Sequence, residues 1–231
     1  MENEILTLIP ARGGSKRIKN KNIKLLCGKP CIQYTIECAQ KAGMKNIIVS
    51  TDSSEIAKIA KELGAFTPFI RPHELSGDKV LDYPVVNHAI NFFNSQNWFP
   101  KFLVYLRPTM PLRQHQEILE CLKMINSDIK IDAVRTTCDV PYTPFWMKKT
   151  DKEGFLKPFI DSIEKYQFTR SQDLPKVVMC DGYVDVIRIK TIKKYKQLFA
   201  GKIFAYKREN SFCDIDTEED WKYAEYLISM K

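Results

Sequence analysis

No stretch of the 231-residue chain approaches the roughly 20 consecutive apolar residues that cross a bilayer. The acidic Glu2 and Glu4 stand directly before the first apolar run, with no signal-peptide core, so a cytoplasmic protein with no membrane partner is expected. Glycine-based signatures are also missing. The chain has neither the GxGxxG dinucleotide fingerprint nor a Gly-Lys-Ser/Thr Walker ending, and no GxSxG elbow that would mark a serine hydrolase. There are only three histidines, His73, His88 and His115, too far apart to suggest a ligand spacing or a triad. The seven cysteines are odd in number, scattered and without CxxC pairs. Cys27 and Cys31 lie close together, but no nearby His or Cys completes a zinc site, so reduced thiols are expected. A net charge of +8 raises nucleic-acid binding as one explanation. With no basic helix and no aromatic-interleaved RNA motif, the charge points instead to small anionic substrates.

The positive charge is concentrated in Lys190 to Lys207 and, above all, in one early segment. There a short apolar strand over residues 5–9 runs into Pro10-Ala-Arg-Gly-Gly-Ser-Lys-Arg-Ile-Lys-Asn-Lys21, with two glycines, one serine and five cations in twelve residues. Gly13 and Gly14 let the backbone approach a ligand and present N–H groups, and Arg12, Lys16, Arg17, Lys19 and Lys21 surround them with charge. Such a loop suits a polyphosphate, most naturally a nucleotide triphosphate. The alternative is a solvated basic turn.

Strand and helix signals alternate through the first 135 residues. Strands are expected over 5–9, 46–51, 65–70, 102–106 and 133–137, and helices over 30–42, 54–63, 83–94 and 114–125. The order predicts an α/β fold with a mostly parallel sheet covered by helices on both faces. Ligands in such sheets lie beyond the carboxyl ends of the strands. The basic loop, Ser50-Thr-Asp52 and Arg107-Pro-Thr109 all fall at those ends. Residues 138–174 lose periodicity and are rich in proline and aromatics, so this excursion within a single 1–231 domain is expected to pack on a second subunit. A strand over 182–187, a helix over 192–199, a strand over 203–206 and a helix over 218–230 complete the chain.

Asp214-Ile-Asp216 precedes the last helix. In extended backbone, aspartates at i and i+2 face the same way and can share one cation, and magnesium would bind through them plus phosphate oxygens. The competing reading is a helix cap by Asp216 or Thr217. Asp78 and Asp82 flank a loop that is either a mobile cover or an ordinary turn. Arg170, Gln172 and Lys176 either hold an acidic substrate or form a solvated turn.

Together these segments closely resemble the acylneuraminate cytidylyltransferases, the family of CMP-sialic acid synthetases. Five blocks match in order: Ile9-Pro-Ala-Arg-Gly-Gly-Ser-Lys16 with Lys21-Asn22; Val49-Ser-Thr-Asp52; Arg71-Pro with Glu74-Leu and Asp78; Leu106-Arg-Pro-Thr-Met-Pro-Leu-Arg113; and Asp214-Ile-Asp-Thr-Glu218. The resemblance implies a Rossmann-like fold of the nucleotide-diphospho-sugar transferase type with a protruding dimerisation arm, and hence a homodimer. It implies that CTP and an acidic nine-carbon 2-keto sugar react to give the CMP-sugar and pyrophosphate. Arg12, Lys21 and Asp216 would be catalytic. Ala11, Gly13, Gly14, Ser15, Lys16, Asn22, Arg71, Asp82, Arg107, Arg170 and Gln172 would bind substrates, and Asp214 and Asp216 would carry magnesium.

Departures from the family pattern concern the acceptor. Arg107 and Met110 stand where glutamine and serine are common, Lys79-Val-Leu-Asp82 replaces a serine-rich loop, and Ser171 replaces a second arginine. A legionaminic-type acid is therefore expected, with sialic acid as the alternative. Competing functions are a nucleotidyltransferase acting on a sugar phosphate and a non-catalytic nucleotide-binding protein.

Overall fold

The first strand, β1 (Ile5–Pro10), sends alternate side chains into two different cores. In the computed structural model, which describes residues 4–209 and 212–230, Ile5 and Ile9 pack among Ile32, Ile36 and Val49. Leu6 and Leu8 pack on the opposite face with Val86, Ile90 and Leu103. A strand buried on both faces needs helices on both sides. One layer holds α1 (Cys31–Lys41), α2 (Ser54–Glu62) and α4 (His115–Ser127); the other holds α3 (Asp82–Ser95) and α5 (Ile189–Tyr195). Glu2 lies outside the described residues. No described helix is long and apolar enough to cross a membrane.

Two tiny strands, β2 (Leu25–Leu26) and β3 (Lys29–Pro30), pair with each other before α1. The main sheet adds β4 (Ile47–Ser50), β5 (Phe102–Tyr105), β6 (Ala133–Asp139), β9 (Val178–Arg188) and β10 (Ile203–Lys207), in the order β10-β6-β9-β5-β1-β4. It is mostly parallel, as expected, except that β9 runs antiparallel to both β5 and β6. The strand expected over 65–70 is not formed; Phe66 makes one isolated parallel bridge to Ile48. Pro68 follows two residues later and has no N–H to continue a ladder. The helix expected over 192–199 instead starts at Ile189 and stops at Lys196, whose φ of 51° is left-handed.

The excursion contains a small hairpin of β7 (Lys148–Thr150) and β8 (Leu156–Pro158), with short 3₁₀ turns around it. Tyr142, Phe155, Leu156, Phe159 and Phe168 are all exposed there. A third core, containing Ile18, Leu26, Met110, Tyr183, Ile215 and Trp221, joins the loop after β1 to α6 (Glu218–Ser229). This core positions the site, because it fixes both the basic loop and the Asp214-Ile-Asp216 segment beneath one cavity.

Candidate active site

The cavity, about 520 Å³, opens beyond the carboxyl ends of β1 and β5 and is within the range of small-ligand sites. Nine of the expected residues line it: Arg12, Ser15, Lys16, Lys21, Asn22, Arg71, Asp82, Arg107 and Asp216. Ala11, Gly13, Gly14, Asp214, Arg170 and Gln172 are not among its lining residues. Arg170 and Gln172 are exposed on the excursion.

Several of these positions follow from local hydrogen bonding. The buried Asn22 donates through Nδ2 to the Arg12 carbonyl at 2.9 Å, folding the basic loop back on itself. Asn20, with φ of 53°, makes the tight turn within it, and its carbonyl accepts from Ile23 N and Lys24 N. The backbone donors differ from the expectation. Ala11 N–H is used by Ser50 O at 2.9 Å, and Gly13 N–H by Asp52 Oδ1 at 2.8 Å, so neither amide is left for phosphate. A Cβ on Gly13 would approach Ser53 Cβ to 3.1 Å, so close packing is the glycine's role here.

Four of the loop's five cations are paired with two aspartates. Arg12 Nη1 donates to Asp78 Oδ1 at 2.6 Å, and Lys16 Nζ contacts Asp78 Oδ2. Lys16 and Arg12 together hold the Asp78 carboxyl below its ordinary range. Arg17 and Lys21 meet Asp216 at 3.1 and 3.0 Å, and Lys21 Nζ also donates to Ile215 O at 2.6 Å.

At the cavity's other end, Arg71 donates to Ser50 O at 2.5 Å and to Leu75 O at 3.4 Å. Its buried Nε has no hydrogen-bond partner among the described residues, and burial pulls the guanidinium below its ordinary value. Arg107 is gripped from two sides: Nη2 donates to Asp82 Oδ2 at 2.9 Å and Nη1 to the buried Asp185 Oδ2 at 2.8 Å. Burial alone would lower the Arg107 guanidinium, but Asp185 and Asp82 outweigh it and hold the value above the ordinary one. Asp82 also accepts from Tyr105 Oη at 2.9 Å, and Asp185 from Arg135 Nε at 2.9 Å. Arg107 therefore reaches the cavity as a charge-compensated group. Gly182 makes its close approach possible: φ is +74°, and a Cβ there would lie 3.0 Å from Arg107 Nη1.

Asp214 keeps Oδ1 buried without a hydrogen-bond partner among the described residues, and burial pushes its carboxyl above the ordinary value. Ile215 N–H donates to Thr109 O at 3.0 Å, fixing this segment against the loop after β5. The capping role is taken by Thr217, which forms a reciprocal capping box with Asp220, so Asp214 is not needed as a cap. No group of three or more His, Cys, Asp or Glu side chains arranged for a metal occurs among the described residues. An oxygen-seeking cation would complete its shell with water and phosphate oxygens. Tyr105, Thr109, Val80 and Asp185 were missed as site residues. Asp185 carried a signal, since a carboxylate inside Gly182-Tyr-Val-Asp-Val-Ile187 demands a buried partner.

Comparisons with known proteins agree with this architecture. A family model described as cytidylyltransferase matches residues 6–139. The chain is 33% identical to the pseudaminic acid cytidylyltransferase of Campylobacter jejuni, over 97% of this chain and 96% of that protein. It is 31% identical to the CMP-N,N'-diacetyllegionaminic acid synthase of Legionella pneumophila, over 98% of this chain and 97% of the relative. Among solved structures, a CMP-2-keto-3-deoxy-manno-octonic acid synthetase complexed with CTP superposes with a TM-score of 0.74 at 16% identity. That alignment covers 98% of this chain and 99% of the other.

Proposed function

The chain belongs to the cytidylyltransferase family, and we propose that it transfers CMP from CTP to the anomeric hydroxyl of a nine-carbon 2-keto sugar acid of the legionaminic type, releasing pyrophosphate. The observation that carries this reading is the convergence of Arg12, Lys16, Arg17 and Lys21, from one loop, on a cavity that Arg71 and Arg107 also line. Its full-length likeness to relatives named for pseudaminic and diacetyllegionaminic acids supports the acceptor class.

In this reading Arg12, Lys16 and Ser15 bind the β- and γ-phosphates, and Lys21 meets the α-phosphate where the sugar oxygen attacks in line. Asn22 acts through the backbone, holding the Arg12 carbonyl and so the curvature of the loop. The unpartnered Nε of Arg71 is a donor for the nucleotide. Tyr105 and Arg107 hold Asp82 with its carboxylate toward the cavity, where it accepts a hydrogen bond from a bound substrate. Asp214 and Asp216 fit magnesium, since an i, i+2 carboxylate pair with one buried, unpartnered oxygen matches an oxygen-seeking ion. Bound there, magnesium would offset charge on the phosphates and the departing pyrophosphate.

The exposed aromatic excursion supports a homodimer in which Arg170 and Gln172 serve the neighbouring subunit's site. The reaction is assigned to the cytoplasm, where seven unpaired thiols stay reduced. Pyrophosphate release with magnesium is the test, pairing CTP, UTP, ATP and GTP with legionaminic, pseudaminic and N-acetylneuraminic acids and Kdo. Turnover with CTP and a nine-carbon acid is expected. Turnover with a sugar phosphate and no keto acid would overturn the assignment.

A further inference from the structure

The cations assigned to the polyphosphate already have an anion. Asp78 places one carboxylate oxygen on Arg12 Nη1 at 2.6 Å and the other on Lys16 Nζ. It does so from residues 76–81, which lead from the 3₁₀ turn His73–Leu75 into α3 and form one wall of the cavity. Local backbone bonds within this stretch, such as Val80 N–H to Gly77 O at 3.2 Å, shape the turn without joining it to the basic loop. The Asp78 carboxylate spans that gap.

We infer that Asp78 is an intramolecular competitor of the nucleotide's polyphosphate, holding residues 76–81 against Arg12 and Lys16 until phosphate oxygens take its place. The inference rests on the phosphate-binding role proposed above for the loop. Carboxylate and phosphate oxygens are alternative partners for the same donors, and a triphosphate brings more charge than one aspartate. All three side chains are solvent-accessible, at 35% for Arg12, 79% for Lys16 and 39% for Asp78. Screened pairs of this kind are weak, so the contact can yield to a polyphosphate and still lower its apparent affinity. Asp216 differs, because Lys21, one of its two partners, is anchored independently on Ile215 O and stays in place whichever anion it meets.

The test is calorimetric titration of wild type, Asp78→Asn and the charge control Glu120→Gln with CTP and with inorganic tripolyphosphate. Asp78→Asn is expected to bind both about 2- to 30-fold more tightly, the range that two exposed ion pairs convert to, while Glu120→Gln matches wild type. Tripolyphosphate is also expected to accelerate amide exchange across residues 76–81 in wild type, to the rate that Asp78→Asn shows without ligand. Unchanged or weaker tripolyphosphate binding by Asp78→Asn overturns the competitor role alone. Failure of wild type to bind either compound overturns the phosphate reading of the loop, and the inference with it.

Discussion

Replacing Tyr183 with phenylalanine removes one oxygen that ties the proposed metal segment to the sheet. Tyr183 sits in β9, fully buried, with the Arg208 guanidinium 3.4 Å above its ring. Its hydroxyl accepts from Cys213 N–H at 2.8 Å and donates to Cys213 O at 3.1 Å. Cys213 is itself buried and directly precedes Asp214. Phenylalanine keeps the ring, the stacking and the packing, so the cost comes from two buried backbone groups losing their partner. At about 1–3 kcal/mol for a buried group left unsatisfied, with partial relaxation of the carbonyl, the expected loss is about 2–4 kcal/mol. Urea unfolding would measure it as a lower midpoint at constant m-value. Turnover is expected to fall about 10- to 100-fold, because Asp214 and Asp216 lose their registration against the basic loop. A variant within about 0.5 kcal/mol of wild type that retains full turnover would refute this account of the segment's placement.

Arg208 pairs with Glu117 at 2.7 Å and Asp181 at 3.0 Å, with all three side chains buried. Arg208→Met is therefore expected to cost about 3–5 kcal/mol by leaving two carboxylates without their cation, and a midpoint shift worth under about 1 kcal/mol would contradict this. Lys21 contributes differently, since its ammonium reaches the cavity while holding Ile215 O and Asp216. Lys21→Ala is expected to lower pyrophosphate release about 10²- to 10³-fold while costing only about 1 kcal/mol of stability; near-normal turnover would remove it from the mechanism.

Most of the layered fold was legible because the relevant signals are local. The apolar runs of β1, β4 and β5 are read as buried strands from composition alone, and Ser53 accepts from Ile56 N–H as the N-cap of α2. Strand direction is not local. Nothing in Gly182-Tyr-Val-Asp-Val-Ile187 says that β9 runs against its neighbours, because a fully buried run looks the same in either direction. The strand expected over 65–70 failed for a reason that was visible, Pro68 in the middle of the run.

The site divides along the same line. The basic loop could be read because its five cations lie within ten residues, and proximity in sequence guarantees proximity in space. Their charge was nevertheless overestimated, since Asp78 and Asp216 come from segments 62 and 195 or more residues further on and reach back to them. Arg107 makes the point more sharply. Read alone, it is an arginine at the end of a strand, where the acceptor sugar is expected, but Asp82 lies 25 positions before it and Asp185 78 positions after. Both carboxylates close on its guanidinium, and only the pairing of β5 with β9 makes the second contact possible. The cavity therefore offers a substrate the outer face of a neutralised Asp82–Arg107 pair rather than a bare cation. An acceptor selected there is chosen by a hydrogen-bond donor as much as by its carboxylate, which shifts the search for the sugar toward differences in its amino and hydroxyl substituents.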